Sequence, residues 1–102
     1  MKRTAIVCLF LLCVVLLVGC GFQKLLPPAD RMTPEAAEEI VFQRAGVIRE
    51  EVLFCETELE FDDDWQGWQY EIEFTTAENE YDCEVNAVHG TVLKFYFEKR
   101  SA

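Results

Sequence analysis

Bases are scarce in this chain and histidine is almost absent. Nine lysines and arginines stand against 19 aspartates and glutamates, and His89 is the single histidine in 102 residues. So few bases, at a net charge of −10, disfavour any surface for nucleic-acid phosphates or anionic lipid headgroups. One histidine cannot build the usual zinc site or an imidazole dyad. Three prolines and five glycines are too few for a low-complexity segment, and no internal repeat appears beyond paired strands. One domain is all the length allows.

What the chain has at its start is a single long apolar run. Lys2 and Arg3 precede AIVCLFLLCVVLLVG, the charged n-region and h-region of a signal peptide. The run closes on Leu17-Val18-Gly19-Cys20, which resembles a bacterial lipobox. That resemblance implies cleavage before Cys20 and a lipid on its sulfur, with residues 1–19 a lipoprotein signal peptide. The alternative is an uncleaved signal anchor, since Ala5 to Phe22 is free of charge and just long enough to span a bilayer. Either way Lys2 and Arg3 stay inside and the remainder lies on the extracytoplasmic face of the cell membrane. Losing Lys2 and Arg3 takes the nine bases to seven against 19 acids, a net charge of −12.

Residues 20–32 form a tether, stiffened by Pro27 and Pro28. The domain proper is expected over residues 33–100. Thr33 is a good N-cap and Pro34 suits the first helical position, while Glu35, Glu38 and Glu39 favour the positive end of the dipole. Ala37, Ile40, Val41 and Ala45 share one face, and Gly46 ends the helix.

Beyond Gly46 the apolar period changes to two. Leu53, Cys55, Thr57, Leu59 and Phe61 alternate with Phe54, Glu56, Glu58 and Glu60, and Trp68, Tyr70, Ile72 and Phe74 alternate with Gln69, Glu71, Glu73 and Thr75. Tyr81, Cys83, Val85 and Ala87 follow, then Leu93, Phe95 and Phe97. Turns are expected at DDDWQG, TAENE and VHG. This predicts an α+β domain, with one N-terminal amphipathic helix packed on one face of an antiparallel meander of three to four strands.

From Thr33 to Lys99 the order of elements resembles a PepSY domain. Three stretches carry the likeness: Ala45-Gly46-Val47 at the helix end, Tyr70-Glu71-Ile72-Glu73-Phe74, and Asn86-Ala87-Val88-His89-Gly90-Thr91-Val92. Asn86 and His89 depart from the family's usual Asp and Thr. The resemblance implies a PepSY-like fold and a non-catalytic module that inhibits or regulates a peptidase, or binds another envelope protein, near the cell surface. Propeptides of the family continue past this domain toward the protease. Here only Arg100, Ser101 and Ala102 follow, so inhibition would use the domain's own surface.

The expected outer face carries Glu56, Glu58, Glu60, Glu71, Glu73, Asp82, Glu84 and Glu98, with Lys94 its one obvious base. Of these, Glu56, Glu58, Glu71, Glu73, Asp82 and Glu84 are the candidate partner-binding face, for a basic partner, a cation or an envelope polymer. The competing reading is a solvated face that keeps the sheet soluble. Phe54 and Tyr96 are aromatics on that same face and a candidate contact patch.

DDDWQG lacks the alternate spacing that puts three carboxylates on one calcium ion, so no metal ligand is expected there. Cys55 and Cys83 fall on the core face. In a meander the strand between them holds them ~9–10 Å apart, beyond the ~7 Å a disulfide spans, so buried thiols are favoured over a bridge. A cysteine nucleophile served by His89 is disfavoured, because the cysteines face inward and the histidine sits at a hairpin tip. No catalytic set and no cofactor are expected.

Overall fold

The computed structural model describes residues 26–101; the expected signal peptide, Cys20 and residues 21–25 of the expected tether lie outside the described residues. Among those described, no helix is long and apolar enough to cross a membrane. One α-helix and four antiparallel strands make an α+β fold, with α1 at Pro34–Ala45 preceding β1 at Phe54–Asp62, β2 at Gly67–Thr75, β3 at Asn79–Asn86 and β4 at Val92–Lys99. The strands lie in the sheet in the order β1-β2-β3-β4.

The helix begins and ends where local chemistry dictates. Thr33 is the N-cap, its hydroxyl accepting from Ala36 N at 3.2 Å, and Pro34 follows it. Gly46 closes the helix in the left-handed region at φ 73°, where a glycine adds no Cβ penalty.

The inward face is a single core. Ala37, Val41 and Phe42 from the helix meet Tyr70, Ile72 and Phe74 of β2 and Tyr81, Cys83 and Val85 of β3. Ile40 and Ala45 are half-buried at its border. Phe42, absent from the expected helix face, is 1 % exposed and meets Phe74 edge-on at 4.9 Å between centroids. β2 and β3 therefore bury most of the side chains their alternation selects, whereas those of β1 are half-buried.

Three expectations fail at the edges. Leu53 precedes β1 and is 66 % exposed rather than in the core. Leu93 is 42 % exposed because Glu84 pairs with Lys94 while Val85 pairs with Val92, so a β-bulge leaves Leu93 without an opposite residue. Phe97 keeps the expected side and stacks on Tyr81 at 5.7 Å, but no helix covers it and it is 54 % exposed.

Two polar attachments extend the fold beyond its apolar core. Glu38 turns toward β1, accepting from Thr57 Oγ1 at 2.6 Å and from Arg49 Nη1 at 2.9 Å. Met32, expected in the free tether, is part of the folded unit: its N–H donates to Ala87 O at 2.8 Å, and its carbonyl accepts from the Tyr70 hydroxyl. Tyr70→Phe should cost about 1 kcal/mol, because the Met32 carbonyl loses its donor beside a buried ring. A urea midpoint equal to wild type would show that this attachment contributes nothing.

Candidate functional site

The strand register builds the face turned away from α1 as four cross-strand rows. Phe54, Thr75, Glu80 and Glu98 form the first, and Glu56, Glu73, Asp82 and Tyr96 the second. Glu58, Glu71, Glu84 and Lys94 form the third, and Glu60, Gln69 and Asn86 the fourth. Neighbours within a row stand ~5 Å apart, so rows two and three each set three carboxylates side by side.

Such rows are held against their own repulsion. Lys94 Nζ donates to Asp82 Oδ2 at 2.7 Å, whereas Asp82 Oδ1 is buried with no hydrogen-bond partner. Glu71, Glu73 and Asp82 each bring one oxygen to within 4.8 Å of the others, near enough to share a cation. Burial, then the charge and shared hydrogen bond of Glu60, then the charges of Asp82 and Glu73 push Glu71 up to about 7. At neutral pH this carboxyl is partly protonated.

Aromatic walls frame the acids. Phe54 and Tyr96 are 52 % and 55 % exposed, and with Glu73, Glu80, Asp82 and Glu98 they border a concavity of about 370 Å³. Carboxylates between aromatic faces suit a cationic group such as a lysine or arginine side chain. All six residues of the expected partner-binding face lie in rows two and three. The convergence of Glu71, Glu73 and Asp82 on one point comes from register between two strands, which alternation along one strand does not disclose.

Gln69 departs from the expected wet face. It is 1 % exposed because the β1–β2 turn folds back over it. Trp65 Nε1 donates to Gln69 Oε1 at 3.0 Å, and Gln69 Nε2 donates to Glu60 Oε1 at 2.8 Å. The indole occupies the space left by a missing side chain, since a Cβ on Gly67 would lie 1.8 Å from the ring. Trp65 and Gly67 in one acidic turn were the available signal. Gly67→Ala should displace the ring and cost about 1 kcal/mol, seen as red-shifted tryptophan emission with a lower denaturation midpoint. Unchanged emission would mean the indole does not depend on that gap.

The remaining candidates have structural duties. In DDDWQG, Asp62 Oδ1 accepts from Asp64 N at 2.8 Å and from Trp65 N at 3.4 Å, which closes the turn. His89 is exposed, in a turn where Asn86 Oδ1 accepts from the N–H groups of Val88 and His89 at 2.9 Å each. Asn86 thus supplies the acceptor that an Asp would supply.

Cys55 on β1 and Cys83 on β3 are free thiols with β2 between them. Burial, followed by the charge of Asp82, pushes Cys83 up to about 12. Burial also raises Cys55. Both remain protonated at neutral pH and are poor nucleophiles.

Searches against protein-family models, curated proteins and solved structures find no match to the chain.

Proposed function

We propose that this protein is a lipid-anchored, extracytoplasmic binding module with a PepSY-like fold and no enzymatic activity. Its outer sheet face docks a basic surface on a peptidase or another envelope protein. One observation carries this reading: two adjacent rows of three carboxylates, answered by the single base Lys94, lie beside the exposed rings of Phe54 and Tyr96. A face kept only for solubility has no need of aromatic walls around its acids.

A second reading has its own support in the convergence of Glu71, Glu73 and Asp82. On that reading the face holds cations or envelope polymers instead of a protein.

Cross-linking in intact cells, followed by identification of the captured species, separates the two. A basic envelope protein whose capture falls as salt rises supports docking. Capture of glycan alone, or protein capture indifferent to salt, removes it. Assaying a secreted metallopeptidase with and without the protein tests the regulatory form. Radioactive palmitate should label the wild type and not Cys20→Ala, and an unlabelled wild type would remove the anchor.

A further inference from the structure

The outer edge of β4 differs from that of β1. Arg100 N donates to Glu78 O at 2.9 Å, and bonded residues alternate along an antiparallel pair. Glu98, Tyr96 and Lys94 therefore bond inward to β3, while Phe95 and Phe97 turn their N–H and C=O groups away from the sheet. Among the described residues no strand meets them. The flank is also apolar, with Leu93, Tyr96 and Phe97 exposed by 42 %, 55 % and 54 %. β1 carries Glu56, Glu58 and Glu60 along its length, charges that repel another acidic chain. β4 lacks such a guard, and Lys94, Lys99 and Arg100 outnumber Glu98 around it.

We propose that a second copy of this chain pairs with the free edge of β4, antiparallel, about a two-fold axis through Tyr96. In this register Lys94 faces Glu98 of the partner subunit on both sides of the axis. Phe95 and Phe97 of the two copies exchange hydrogen bonds, and the two Tyr96 residues form the close pair that does not. Other alignments compatible with the same outward groups lose the charge match. Sliding the pairing one way places Lys94 opposite tyrosine, and sliding it the other way places Lys94 opposite Arg100.

The acidic balance of the protein does not prevent this contact. The nearest acidic strand is β3, and two copies of it would lie three strand spacings apart, ~14 Å. That exceeds the Debye length of ~8 Å at physiological salt. Lys94 already neutralises Asp82, the acid beside Tyr96.

The register is tested by cysteine scanning of the full chain in cells, with mild oxidation and non-reducing electrophoresis. Across the axis the Tyr96 Cα atoms stand ~5 Å apart, within disulfide reach, whereas the two Lys94 positions are ~13 Å apart along the strands. Tyr96→Cys should give at least about tenfold more covalent dimer than wild type or Lys94→Cys. Lys94→Glu in the Tyr96→Cys background should abolish that band, and adding Glu98→Lys should restore it. Both positions are exposed, so the restored band also reports that the fold survives. No Tyr96→Cys dimer above the wild-type level, equal dimer from Lys94→Cys, or no recovery with the charge swap would each overturn the proposal.

Discussion

Replacing Phe42 by alanine should cost about 4 kcal/mol of folding stability, the loss expected for emptying a fully buried phenylalanine site. The ring is 1 % exposed, meets Phe74 at an interplanar angle of 77°, and lies beneath the Arg49 guanidinium at 5.0 Å from its centroid. Arg49 in turn holds Glu38, which accepts from Thr57 of β1. The substitution thus opens a void and loosens the corner joining α1 to β1. Small domains bury a modest share of their surface and total stabilities begin near ~5 kcal/mol, so this variant should be largely unfolded at body temperature. Phe42→Leu should retain most of the stability, at a cost of about 1 kcal/mol. Urea melts of both variants check the pair. A loss below ~1 kcal/mol for the alanine variant would show that Phe42 does not hold the helix to the sheet.

The second large effect is a dependence on pH set by Glu71. Its folded-state value lies near 7 against an ordinary 4.5, so the folded protein binds this proton more tightly than the unfolded chain does. The resulting stabilisation is fully present below about pH 4.5 and is lost as the pH rises through about 7. Its size is about 2 kcal/mol once solvent screening of this partly exposed group is allowed for. Wild type should therefore be more resistant to urea at about pH 5 than at about pH 8. Glu71→Gln should be more stable than wild type at about pH 8 and nearly indifferent between the two values. A wild-type midpoint that rises with pH over that interval would contradict the environment described for Glu71. A cationic partner or ion on this face lowers the same value, so either ligand should abolish the difference.

The rhythm of the chain discloses much of the architecture. Tyr70, Ile72 and Phe74 alternate with acids because only one face of their strand has a helix above it, and Thr33 and Gly46 mark that helix by capping chemistry alone. Phe42 escapes the same reading. It sits directly after Val41 on the helix, and the stripe drawn through Ala37, Ile40, Val41 and Ala45 stops short of it, on the side where the sheet extends further. Leu93 and Leu53 fail differently, since a bulge and a strand start shift the phase that alternation assumes to be constant. At the outer face, the acids are legible one strand at a time. Their pairing into rows is set by hairpin geometry, and the burial of Gln69 by a tryptophan returning from the turn, neither of which leaves a periodic trace.

The attachment of Met32 fixes where a tether from a membrane would enter the fold. Ala87 and Tyr70 hold that residue at the rim where the β3–β4 turn emerges. With a lipid on Cys20, a leash of twelve residues reaches at most ~40 Å, and it arrives at that rim and no other. Phe54 and the Thr76–Glu78 corner lie at the opposite ends of the strands, the part of the fold farthest from that point of entry.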